Sequence, residues 1–115
     1  MDATPRFLRG IYAFEGKGLA APAPLDGGLA YTVPADKRAQ LIYLRAGNSA
    51  DSLVSLTLTR DGTPMRIFPV GARAAMHVPL AVVEDIFPDS RIEVLVSAPS
   101  GVAGEVVIDI GFVEI

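Results

Sequence analysis

The stretch Leu53-Val54-Ser55-Leu56-Thr57-Leu58-Thr59-Arg60-Asp61-Gly62 decides the fold class. Side chains alternate across a strand, so Val54, Leu56 and Leu58 share one face and Ser55, Thr57 and Thr59 the other. This is the pattern of a half-buried β-strand. Asp61-Gly62 closes it as a hairpin, because a type I′ turn needs positive φ at both central residues and Asp-Gly tolerates it.

The same rhythm recurs on both sides of this stretch. Arg6–Phe14 is expected as a first strand, with Leu8, Tyr12 and Phe14 in one phase. Gly16-Lys17-Gly18 and Pro22-Ala23-Pro24 open a long irregular connection through Gly27-Gly28. Leu29–Val33 is the second strand and Gln40–Ala46 the third, with Ile42, Leu44 and Ala46 facing one way. Gly47–Asp51 is a loop of turn formers. Beyond the Asp-Gly turn come strands at Met65–Phe68 and Ala74–Val78. Leu80–Phe87 is the helical candidate, with Val82, Val83 and Ile86 near helical spacing and Pro88 as the stop. Arg91–Ser97 carries Ile92, Val94 and Val96 in phase, and Glu105–Ile115 carries Val106, Ile108, Ile110 and Phe112. The apolar phase then moves to Val113 and Ile115, which predicts a bulge near Gly111. Prolines 34, 64, 69, 79, 88 and 99 are expected at strand ends. About eight short strands spaced by turns predict an all-β, antiparallel β-sandwich of jelly-roll or immunoglobulin-like topology. It would be a single domain over residues 1–115, with one short helix near 80–87.

A chain of 115 residues is long enough to bury its own core, and it contains no cysteine. Thiol catalysis, cysteine-ligated zinc and disulfide switching are therefore excluded. The net charge of −3 offers no electrostatic footprint for nucleic acid. No apolar run approaches the ~20 residues of a membrane-spanning helix. The first ten residues lack a basic head followed by an apolar run, so the cytoplasm is the expected location if Met1 is the native start. Half of the residues are hydrophobic, and mean hydropathy is +0.40. That excess is expected to be buried between copies or against a partner.

Chemical motifs are sparse. Gly16-Lys17-Gly18-Leu19-Ala20-Ala21 matches a nucleotide-binding glycine pattern, but Pro22 and Pro24 forbid the helix that would carry the phosphates. His77 is the one histidine, with a phase opposite Met76 and Val78 that turns it outward. One imidazole cannot build a multi-histidine metal centre, and no G-x-S-x-G elbow supports it as a catalytic base. Asn48-Ser49-Ala50-Asp51-Ser52 is too poor in carboxylates for a calcium loop. Asp109 alternates with Val107 and Gly111 on the face opposite the core. Tyr43 has the phase opposite Leu44 and stands beside Arg45.

The composition thus predicts a non-enzymatic interaction or assembly module without a cofactor or metal. It would self-associate or bind a protein partner, with Tyr43, Arg45 and Arg66 as contact candidates. The alternative is a small-ligand or carbohydrate-binding module, using Tyr31 or Tyr43 as a ring platform near the loops Glu15–Gly28 and Gly47–Ser52. A third reading is a hydrolase built on His77 and a carboxylate.

Overall fold

A computed structural model describes residues 3–25, 27–81 and 83–115. Among these residues the chain forms strands β1 (Thr4–Glu15), β2 (Ala23–Pro24), β3 (Ala30–Thr32), β4 (Ala39–Asn48) and β5 (Val54–Arg60). These are followed by β6 (Thr63–Val70), β7 (Ala75–Pro79), β8 (Asp85–Ile86), β9 (Arg91–Ser97) and β10 (Ala103–Glu114). The pairings are antiparallel and make two five-stranded sheets. Sheet A has the order β1-β10-β4-β7, with β8 also on β4. Sheet B has the order β2-β9-β5-β6, with β3 also on β9. Consecutive strands change sheet at six of the nine steps; β2–β3, β5–β6 and β7–β8 stay within one sheet. In the β5–β6 hairpin Asp61 and Gly62 take φ of 49° and 83°, as the turn requires.

The core lies between the sheets. Val54, Leu56 and Leu58 of β5 face Leu44 and Ala46 of β4 and Val106, Ile108, Ile110 and Phe112 of β10, all 6% exposed or less. Thr57 and Thr59, expected to face solvent, are also nearly covered, at 5% and 4%. They point outward from a central strand and are roofed by larger cross-strand neighbours: Ile67 and Leu95 flank Thr57, and Pro64 and Glu93 flank Thr59.

Three expectations need correction. No helix forms among the described residues of the 80–87 segment, and Val82 lies outside them. Described residues on both sides of Val82 instead bond to β4. The Leu80 amide donates to the Ile42 carbonyl at 2.8 Å, Ile86 pairs with Ala39 and is fully buried, and Asp85 accepts from Arg38 and Gln40. These partners satisfy a two-proline segment better than a turn of helix could. The bulge near Gly111 exists, but its extra residue is on the partner strand. Gly111 pairs with Tyr43 and Phe112 with Leu41, so Ile42 is skipped. Hence β10 keeps its phase through the buried Glu114, while in β4 Leu41 turns inward and Ile42 is 42% exposed. Pro64 and Pro69 lie within β6, not at its ends. They are tolerated because β6 is the sheet's edge, where a missing N–H costs no ladder bond.

Gly16 shows a close backbone approach. Its amide donates to Val102 O at 2.6 Å, and a Cβ there would overlap the carbonyl oxygen of Pro99. Gly62 instead sits in open space with positive φ. Gly62→Ala should therefore cost about 1 kcal/mol of left-handed strain. Gly16→Ala should cost more, about 2–3 kcal/mol, because backbone cannot yield as a side chain does. Urea midpoints with unchanged slopes would show this ranking.

Candidate functional site

The outer face of sheet A is assembled from residues far apart in sequence. The odd-numbered residues of β1 and β10 point outward, and the register sets them in rows across the sheet. One row reads Phe7, Gly111, Tyr43, Pro79; the next Arg9, Asp109, Arg45, His77; the next Ile11, Val107, Gly47, Ala75. An aromatic row, a charged row and an apolar row thus lie side by side.

Gly111 shapes the first row. A methyl group at this position would overlap the Tyr43 ring, so the ring packs down onto the sheet because glycine stands there. Phe7 is on the other side of Gly111 and is 53% exposed. Pro5, Phe7, Ile42, Tyr43, Gly111 and Val113 line an open slot of about 170 Å³. Across the charged row, Arg45, Gly47, Ala75, Met76, Val107 and Asp109 line a shallow hollow of about 490 Å³. Its floor is low because Gly47 and Ala75 project little or nothing.

Side chains in the charged row are held by their neighbours. The Tyr43 hydroxyl donates to Asp109 Oδ1 at 3.1 Å. The Arg45 guanidinium lies 5.4 Å from the Tyr43 ring centroid and that of Arg9 lies 5.9 Å from the Phe7 centroid. His77 meets Tyr43 edge-on, with centroids 5.8 Å apart. The Tyr43 hydroxyl is pushed above the usual tyrosine range, first by partial burial and then by its bond to Asp109 and that carboxylate's charge; Arg45 and Arg9 oppose the shift.

Tyr43, Arg45 and His77 therefore come together, as does Asp109. Tyr31 does not: its ring turns inward, 4.6 Å from Phe112, and its hydroxyl is enclosed without a hydrogen-bond partner among the described residues. Arg66 lies on sheet B and pairs with Glu84 at 3.7 Å. No described residue of loop Glu15–Gly28 lines the hollows just described, whereas Asn48 and Ser49 line an adjoining one with Ile11, Glu105 and Arg73. Asn48 fixes that corner, donating to Ser52 O at 2.9 Å and accepting from the Ala50 amide at 2.9 Å. Sequence reading passed over Phe7, Arg9 and Ile11. Their shared phase, opposite Leu8 and Tyr12, was the available sign. Among the described residues no group of three or more His, Asp and Glu side chains is placed to hold a metal ion, and no helix is long and apolar enough to cross a membrane.

No protein-family profile and no curated protein matches the chain. Among solved structures it is similar to the CBM36-1 domain, a carbohydrate-binding module, of a multidomain xylanase from the hindgut metagenome of Trinervitermes trinervoides. The TM-score is 0.60, the identity 14%, and 96% of each chain is covered, a likeness of fold. Weaker similarity, with a TM-score of 0.43, is found to an exo-beta-1,3-galactanase from Phanerochaete chrysosporium with galactose, at 13% identity over 96% of this chain and 29% of that one. It is also found to infectious bursal disease virus Gt strain, again at a TM-score of 0.43 and 13% identity, over 97% of this chain and 37% of that one.

The neutral tyrosine is favoured in the fold, so the Tyr43–Asp109 contact stabilises below the ordinary tyrosine pKa of about 10 and is lost as pH rises through the raised value. In an ultraviolet titration of tyrosinate, Tyr43 should ionise above the ordinary range. Asp109→Asn should lower that midpoint, and Gly111→Ala should do so by unseating the ring.

Proposed function

We propose that this domain is a non-catalytic carbohydrate-binding module that takes a saccharide on the outer face of sheet A. The observation that carries this reading is the slot between Phe7 and Tyr43 above Gly111, set against a row of hydrogen-bonding groups. A pyranose offers an apolar C–H face and a rim of hydroxyls. An aromatic-walled slot covers the first, and Asp109, Arg45 and His77 can accept from or donate to the second. The slot and the hollow lie on either side of the charged row. From Val113 to Glu105 the face runs about 27 Å along β10 at ~3.4 Å per residue, room for several sugar units. The fold likeness to a xylanase's carbohydrate-binding module supports the same reading.

A second reading, self-association through this face, is favoured by the exposed Ile11 and Val107, which pair across β1 and β10 at 67% and 51%. Light scattering across micromolar dilution separates the two: a stable dimer or higher oligomer supports it, and a monomer throughout removes it.

Affinity electrophoresis through soluble polysaccharides tests the carbohydrate reading. At least one polysaccharide should retard the protein. Phe7→Ala and Tyr43→Ala should each weaken binding about tenfold, the loss expected when a contacting ring is removed. Both variants should keep the far-ultraviolet spectrum of the parent. A protein that no polysaccharide retards would overturn the proposal.

A further inference from the structure

Outside the charged row, five of the other six arginines meet a carboxylate, and Arg60 has neither an ion pair nor a ring beside it among the described residues. Arg6 is bonded to Glu114 at 3.0 Å, Arg38 to Asp85 at 2.8 Å and Arg91 to Glu93 at 3.1 Å, and Arg73 is paired with Asp51. Arg9 and Arg45 have no ion pair and no hydrogen bond among the described residues. Asp109 lies between them in the register, on the neighbouring strand, yet its Oδ1 accepts from Tyr43. Each guanidinium instead rests near a ring, Arg9 near Phe7 and Arg45 near Tyr43. Stacking leaves the N–H edges of the planar fork unspent. The row therefore carries two positive charges against the one negative charge of Asp109, in a chain whose net charge is −3.

We infer that the saccharide taken on this face is acidic, with its anionic groups gripped by Arg9 and Arg45. This rests on the carbohydrate reading above and adds the class of ligand. A carboxylate or a sulfate ester meets a guanidinium edge through two parallel N–H···O bonds, which a neutral hydroxyl cannot match. Phe7 and Tyr43 hold the two forks in place before the ligand arrives, which reduces the entropy lost on binding. Asp109 keeps the Tyr43 ring seated and is left free to accept from a sugar hydroxyl through its other oxygen.

The experiment measures retardation of the full chain by polygalacturonate, dextran sulfate and a neutral xylan, for the parent and for Arg9→Gln, Arg45→Gln and Arg60→Gln. Arg60 lies in β5 on the opposite sheet and serves as the control for non-specific attraction. The first two replacements are at exposed sites, where substitutions alter stability little, and a thermal melt checks it. The acidic polymers should bind more tightly than xylan. Arg9→Gln and Arg45→Gln should each weaken acidic binding about tenfold, and Arg60→Gln should leave it unchanged. Polygalacturonate preferred over dextran sulfate would place the charge on a carboxylate, and the reverse on a sulfate ester; either supports the inference. Xylan binding that is equal or tighter and indifferent to both arginines would overturn the acidic ligand while leaving the carbohydrate reading intact. Acidic binding weakened equally by Arg60→Gln would overturn it as non-specific attraction. Binding to none of the three, with none to any other polysaccharide, would overturn both.

Discussion

The pairing of β10 between β1 and β4 is the constraint on which this molecule depends. One strand at the end of the chain is inserted between a strand from its beginning and one from its first half. β1 and β10 are in continuous antiparallel register from Thr4 and Glu114 to Glu15 and Ala103. The even-numbered side chains of β10 fill the centre of the core, and its odd-numbered ones set the middle of the exposed face. A single register therefore fixes both hydrophobic packing and surface chemistry, and a slip of one residue would exchange them. The bulge at Ile42 keeps the two strands compatible: it lets Leu41 and Leu44 both face inward opposite an unbroken β10.

The chemistry of the face follows from what this register places side by side. Glycines 47 and 111 lower the sheet surface, and neighbouring strands supply the walls. Aromatic rings, and not carboxylates, support Arg9 and Arg45. Leaving surface arginines without ion pairs costs the fold little, since exposed pairs contribute only about 0–1 kcal/mol. It does keep their hydrogen-bonding edges available. Arg6, by contrast, is tied to the buried Glu114, whose carboxylate would otherwise lack a counter-charge.

The high mean hydropathy of the chain also finds an account here. Most of it is core, contributed by both sheets and by segments such as Leu25, Leu29 and Ile86 that cover the ends and edges of the sandwich. Of the exposed large hydrophobics, Phe7, Ile11, Ile42 and Val107 share sheet A, whereas Ile67 is on sheet B and Leu19, Leu53, Val83 and Phe87 are scattered over the connections. Apolar surface alone would suit a partner protein as well as a sugar. On sheet A that apolar surface is arranged around an aromatic-lined slot and a polar row, the two features on which the proposed sugar site rests.

The sequence by itself determined the class of fold, the Asp61-Gly62 hairpin and the inward faces of β5, β9 and most of β10, because alternation and turn chemistry act over a few neighbouring residues. It also placed Tyr43, Arg45, His77 and Asp109 outward for the same reason. It misjudged Ile42 and the 80–87 segment, where the outcome turned on what β4 offered as a pairing partner. Tyr31 joined the core because it lies opposite Phe112 across the sandwich. That Arg9, Asp109, Arg45 and His77 form one row, with Phe7 and Tyr43 on either side of Gly111, was decided only by tertiary structure. Period-two patterning says which face a residue takes, but the order and register of strands come from long-range packing.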